Sequence, residues 1–260
     1  MLEFSKTNTL SQQALSHLRA SPSNPVADAI KKEVDDAILR NEQKRERRKY
    51  LGASSIGEEC SRKIQYRFLN YPQDERSGFS AQTLRIFQFG HEIEDYTAKW
   101  LRDAGFDLRT EDKQGEQFGF SIADDQIRGH IDGVICGGPV TMGYPALWEN
   151  KSSNDKRFQS FVRHGVAKAN PTYATQIALY QTYMDLSEQP ALFTVVNKNT
   201  SEVYYELVPY NQELAQAASD KAVNILTASK VGDILPRVAQ SKDFFLCKFC
   251  EFRETCWRDE

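Results

Sequence analysis

Two short β-type runs joined through a Gly137-Gly138-Pro139 turn, Ile127 to Cys136 and Ala146 to Lys151, carry the charges that most restrict how this chain can fold. GHIDGVI contains Asp132, and LWENKSS contains Glu149, Asn150 and Lys151. Side chains two apart on a strand share a face, so Glu149 and Lys151 project together, and Asp132 on the preceding hairpin strand joins them. Two acids and a lysine inside a sheet are costly unless something such as a metal compensates them. The trio has the chemistry of metal-assisted phosphodiester hydrolysis. Carboxylate oxygens hold Mg²⁺ or Mn²⁺, the ion polarises a phosphate and acidifies a water, and the lysine orients that water or offsets developing charge. Asn150 is expected to add its backbone carbonyl as a further ligand, with its side chain turned away. A bare E-x-K also reads as a surface ion pair on an exposed hairpin, so the rest of the chain has to decide.

With 260 residues, 40% hydrophobic and 27% charged, one catalytic domain with attachments is expected. The net charge of −3 departs from the basic profile of simple DNA binders, yet suits an enzyme needing carboxylates for metal and only a local basic track for phosphates. No stretch reaches the roughly eighteen apolar residues of a membrane helix. MLEFSKTNTLSQQ lacks the layout of a signal peptide, so a cytoplasmic protein is expected. No phosphate-binding G-x-x-x-x-G-K loop is present, which leaves an ATP-driven motor unsupported.

Residues 25–50 read as a charged helical arm with Ile30, Val34, Ile38 and Leu39 as apolar positions and a basic end of Lys44, Arg45, Arg47, Arg48 and Lys49. Ser55 and Glu58 match a capping box, and Ile64, Phe68 and Leu69 follow at helical spacing, predicting one helix over 55–69 with Cys60 in its first turns. Ser80 caps a further helix through Leu84, Phe87, Ile93, Tyr96, Trp100 and Leu101, stopped by Gly105. Strands predicted at 118–122, 127–136 and 146–151 form an antiparallel meander. Helices follow at 155–167 and 171–186, strands at 191–197 and 202–208, and a helix at 212–229. The pattern is α/β, helices around a mixed central sheet. It divides into an N-terminal arm, 1–53, a core, 54–240, and a cysteine-rich tail, 241–260.

Five cysteines, an odd number, argue against a disulfide framework. Cys247-x-x-Cys250-x5-Cys256, with Cys60 as fourth partner, suits either zinc or an iron–sulfur cluster, and the spacing leaves both open. Cys136 lies outside this set and reads as a small core residue.

These residues resemble the PD-(D/E)XK nuclease superfamily, and more narrowly its RecB-like branch, which includes CRISPR-associated RecB-like exonucleases and related phage and mitochondrial exonucleases. The resemblance runs in matching order from Ser54 to Cys256 and implies a restriction-endonuclease-like sheet. The branch's first motif, a glycine followed four residues later by His or Glu, is matched by Gly90-His91-Glu92-Ile93-Glu94, which implies Glu94 as a metal ligand and His91 as the alternative. Its Q-x-x-x-Y helix is matched by Gln176 and Tyr180, which share a helix face and are implied to position the lysine, the water or the DNA backbone. The resemblance favours [4Fe–4S] over zinc on Cys60, Cys247, Cys250 and Cys256, in a structural role that closes a very long loop.

Arg62, Lys63 and Arg67 with Tyr66 and Phe68, together with Lys156, Arg157, Arg163 and Lys168, form candidate DNA-binding patches in which cations meet phosphates and rings stack on bases. The expected function is a metal-dependent exonuclease on DNA ends, single-stranded by preference, with 5′ to 3′ polarity implied by the resemblance. A helicase, recombinase or CRISPR-adaptation partner would fit a nuclease without its own motor. The competing readings are a non-catalytic DNA-end-binding or assembly module in CRISPR adaptation or phage recombination, and a structural zinc protein.

Overall fold

The computed structural model describes residues 24–45, 48–75 and 78–258. The N-terminal residues 1–23 and Arg47 of the basic cluster lie outside them. Two compact units are present, Met1–Arg45 with Ser80–Gln82, and Glu46–Phe79 with Thr83–Glu260. In the first, α1 (Pro25–Gln43) starts where the Asn24 side chain accepts from Val26 and Ala27 N–H groups and Pro25 fills the first turn. No residue of α1 is buried, and Ile30 and Val34 are exposed.

The second unit holds β1 (Leu51–Gly52), α2 (Ala53–Ile56), α3 (Ser61–Phe68), α4 (Ala81–Asp103, from Thr83 onward), β2 (Leu108–Arg109), β3 (Gly119–Ile122), β4 (Ile127–His130), β5 (Gly133–Ile135), β6 (Ala146–Ser153), α5 (Asp155–Ala169), α6 (Pro171–Tyr183), β7 (Ala191–Asn197), β8 (Val203–Val208), α7 (Gln212–Val231), α8 (Phe245–Lys248) and α9 (Arg253–Cys256). A five-stranded mixed sheet runs β2-β5-β6-β7-β8, with β6 and β7 parallel and the other neighbours antiparallel. The expected mixed central sheet is this one. β7 is central, and all seven of its residues are buried, as its nearly unbroken apolar sequence ALFTVVN requires.

Side chains alternate between two apolar layers on the sheet. Trp148 and Leu192 pack with Ala98 and Leu101 of α4 on one face. Leu147 and Phe193 pack on the other with Phe161 of α5, Ile177 of α6 and Ile225 of α7. Helix α6 is buried from Ala174 to Gln181, which places a polar residue there beside the sheet rather than in water.

Three expectations need correction. The strand over 127–136 is two strands, because the chain leaves one sheet for another at Ile131 and Asp132. β4 belongs to a separate three-stranded sheet, β1-β4-β3, while β5 lies in the large sheet between β2 and β6. The meander is therefore interrupted where the first acid stands. The helix over 55–69 is also two, α2 and α3. A Cβ on Gly57 would lie 2.8 Å from the Thr172 Cα, so the break allows backbone to approach α6 closely. Ser55 donates to the Gly52 carbonyl instead of capping a long helix, and Cys60 is the N-cap residue of α3. Finally, α5 kinks at Gly165, whose φ of 69° is left-handed. No helix among the described residues is long and apolar enough to cross a membrane.

Candidate active site

The apolar start of β6 anchors it in the sheet, and alternation then puts Glu149 and Lys151 on the Leu147 face, towards α6. Glu149 is fully buried and Lys151 half-buried. The Lys151 ammonium donates to Glu149 Oε1 and lies 3.9 Å from Asp132 Oδ2. Asp132 is fixed from the strand itself, since the Asn150 N–H donates to Oδ2 at 2.7 Å. The carboxylate thus acts as acceptor just beyond the last β5–β6 pair, Gly133 with Trp148. The Asn150 side chain turns away and accepts from Thr194 Oγ1 at 2.8 Å.

From α6, Gln176 Nε2 donates to Glu149 Oε1 at 2.7 Å and to the Tyr180 hydroxyl oxygen at 3.1 Å. One glutamate oxygen therefore takes both Lys151 and Gln176. Among the described residues the other, Oε2, is buried without a hydrogen-bond partner. A buried unpaired carboxylate oxygen is expensive, and here it belongs to a group of acids. Glu94 on α4 is the third. His91, one turn before it, keeps an imidazole whose side chain is 81% exposed and whose Nδ1 is 4.0 Å from Glu94 Oε2, so Glu94 is the inner of the two candidates.

The acids sense one another. Burial, followed by the charge of Asp132, pushes the Glu149 carboxyl up to about 8, and Lys151 only partly opposes this. Burial and then Asp132 likewise push Glu94 up to about 7. Burial raises Asp132 as well. Burial works against the charge of Lys151, but Glu149 and Asp132 outweigh it and hold the ammonium charged. Among the described residues no three His, Cys, Asp or Glu side chains gather around one point as a finished metal site. The donor set nevertheless fits a divalent cation: hard oxygens, mutual repulsion and one unpartnered buried oxygen all call for added positive charge.

Glu94→Gln should separate these effects. A carboxyl whose folded pKa lies above its unfolded value binds protons better when folded, so its contribution is fully present below pH 4.5 and lost as pH rises through about 7. In metal-free protein the variant should match the wild type at the acid end and exceed it at pH 8 by on the order of 1 kcal/mol, discounted for partial exposure. Thermal melts at the two pH values measure this, and an equal shift at both would refute the assigned cause.

A model of the PD-(D/E)XK nuclease superfamily matches residues 9–257, nearly the whole chain. The chain belongs to this superfamily. Solved structures similar to it include an alkaline exonuclease, LHK-Exo, from Laribacter hongkongensis, 15% identical over 77% of this chain and 93% of that one, with a TM-score of 0.49. The LHK-Exo complex with dAMP gives the same identity and coverage with a TM-score of 0.48. SSO0001 is 12% identical over 86% of this chain and 94% of its own, with a TM-score of 0.47. No curated protein sequence matches.

In this PD-(D/E)XK chain two supporting residues escaped the sequence reading. Thr194 receives the Trp148 indole N–H at 3.0 Å while donating to Asn150, which fixes β6 from the side opposite the acids. It is the lone hydroxyl within ALFTVV, a usable signal. Tyr173 lies with its ring 5.5 Å from the Lys151 Nζ.

The four cysteines of the nuclease surround one cavity of about 280 Å³, whose lining also includes Arg62, Lys63, Arg237 and Arg253. Burial pushes the Cys250 thiol up to about 11. Cys247 is raised by burial and then by Cys60 and Cys256, which places the thiols within electrostatic reach. Among the described residues no three of these thiols gather around one point as a finished metal site.

The basic residues of α3, expected to bind DNA, make contacts within the protein. Lys63 is 2.8 Å from Glu58 and 3.6 Å from Glu251, and Arg67 pairs with the same two acids. Arg62 donates to the Leu235 carbonyl and, at 3.7 Å, to Cys256 Sγ. Tyr66 is buried, stacking on Tyr71 at 4.3 Å and meeting Phe252 edge-on at 5.4 Å. These side chains fasten the tail to the core. Lys156 and Arg157, in the first turn of α5, remain exposed.

Proposed function

We propose that this chain is a divalent-metal-dependent exodeoxyribonuclease that shortens DNA from ends, with single strands preferred. The 5′ to 3′ polarity rests on the RecB-like resemblance of the motifs. The observation that carries the reading is the unpartnered Glu149 Oε2, buried beside Asp132, Glu94 and Lys151. An exposed hairpin ion pair would leave no such atom. Glu94, Asp132, Glu149 and the Asn150 backbone carbonyl would hold Mg²⁺ or Mn²⁺, which polarises the scissile phosphate and acidifies a water.

The remaining roles belong to side chains. Lys151 offers N–H donors to the attacking water or the phosphate and offsets charge building there. Gln176 keeps Glu149 Oε1 in place so that Oε2 faces the acids, and Tyr180 orients Gln176. Lys156 and Arg157 provide the phosphate track. Arg62, Lys63, Tyr66 and Arg67 act through the tail. The arm, 1–53, and the tail, 241–260, are attachments to the nuclease core, 54–240, and Cys60, Cys247, Cys250 and Cys256 carry a structural [4Fe–4S] cluster, with zinc the occupant to exclude.

The test is anaerobically purified protein with end-labelled single- and double-stranded DNA in Mg²⁺ or Mn²⁺, beside Lys151→Ala of equal visible absorbance. Metal-dependent shortening that disappears in the variant supports the reading, and the order of label loss gives polarity. DNA bound by the metal-loaded wild type but never cut would replace it with the DNA-end-binding module.

A further inference from the structure

The Lys151 ammonium feels the charges of Glu149, Asp132 and Glu94, the carboxylates assigned above to a divalent cation. It also has an aromatic neighbour: its Nζ lies 5.5 Å from the centre of the Tyr173 ring. An ammonium over an aromatic face is attracted by the ring quadrupole, more strongly where water is excluded.

Tyr173 is half-buried and packs against two buried rings. Its ring is parallel to Phe161, with centroids 6.3 Å apart and 7° between planes, and meets Phe193 at 6.4 Å. Phe161 and Phe193 are both fully buried. Tyr173 precedes Gln176 by three residues and Tyr180 by seven, so all three share one face of α6 above the β6 acids.

We propose that Tyr173 is a positioning residue for Lys151, a fixed aromatic face that keeps the ammonium at the reaction centre when a divalent cation shares the charge of Glu149 and Asp132. The proposal rests on the reading of this site as catalytic. A carboxylate shared with a cation attracts the ammonium less. The attraction of the ring does not depend on the metal, so the lysine retains this partner when the cation is bound.

The experiment is kcat and KM on single-stranded DNA for the wild type, Tyr173→Phe and Tyr173→Met, with circular dichroism and melting on each. Phenylalanine keeps the ring, and methionine fills the stack with a flexible apolar chain. Tyr173→Phe should retain wild-type kcat, and Tyr173→Met should lose about tenfold in kcat with KM unchanged. In metal-free melts, Tyr173→Met should cost less stability in a Lys151→Ala background than with Lys151 present, whereas a role confined to packing would subtract the same amount in both. Full kcat in Tyr173→Met, an equal loss in Tyr173→Phe, or additivity with Lys151→Ala would overturn the proposal. If Tyr173→Met does not fold, Tyr173→Phe decides, and a tenfold fall there overturns it. A wild type that binds DNA without cutting it sinks the catalytic reading itself, a result separate from any of these.

Discussion

Asp132→Asn is expected to lower DNA hydrolysis by roughly 10²–10³-fold while the fold persists and DNA still binds. The substitution is nearly isosteric, and the contact holding residue 132 needs only an oxygen acceptor for the Asn150 N–H at 2.7 Å, which an amide supplies. The junction between the two sheets should survive. The loss is one negative charge from a group of three, and with it a hard anionic ligand. The change should also appear without substrate. Asp132 is the largest charge raising both Glu94 and Glu149, so both carboxyls should titrate at lower pH in the variant. In the wild type these acids release their protons only near pH 7 to 8, and ionisation there costs stability. Metal-free Asp132→Asn should therefore gain stability relative to the wild type as pH rises towards 8. Initial rates in Mg²⁺ or Mn²⁺ and melts in chelator measure the two effects. Cleavage within tenfold of the wild type would remove Asp132 from the ligand set.

Residues whose constraints are local were legible in the sequence. ALFTVVN reads as a strand, and its burial on both faces accounts for apolar residues almost throughout. Glu149 and Lys151 were placed together by the strand period alone, and Gln176 and Tyr180 by the helical one. Distant constraints were not legible. Alternation runs from Ile127 through Asp132 and apolar residues continue to Cys136, so no turn residue other than Gly133 announces that the chain changes sheets at Asp132, whose role as acceptor depends on Asn150. The capping-box pattern of Ser55 and Glu58 is a local signal overridden by tertiary contact. Gly57 must approach Thr172, and Glu58 is drawn to Lys63 and Arg67. The pairing of the α3 cations with Glu251 was not legible because Glu251 lies at the other end of the chain. Charge patterns identify a surface only after such pairs have been removed from them.

Cys60→Ser tests what joins those two ends. Cys60 contributes from the N-cap of α3 to a cavity otherwise supplied with thiols by the tail, so a cluster spanning them closes a loop over most of the nuclease core. Losing one of four ligands should abolish the visible absorbance of the anaerobically purified protein. It should also lower the melting temperature by roughly 5–10 °C, since binding free energy at a structural site is folding free energy. The fall should stop short of unfolding because other contacts hold the tail. Glu251 pairs with Lys63 and Arg67, and Asp74 accepts from the Glu254 and Thr255 N–H groups at 2.7 and 3.1 Å. Adding Glu251→Gln to Cys60→Ser should then release the tail to limited proteolysis, while Glu251→Gln alone keeps both colour and protection. Full absorbance in Cys60→Ser would show that the cluster does not need the upstream thiol. A colourless wild type that releases zinc on unfolding would keep the clasp but change its metal, because the four thiols and the ion pairs behind them would still join the same two ends.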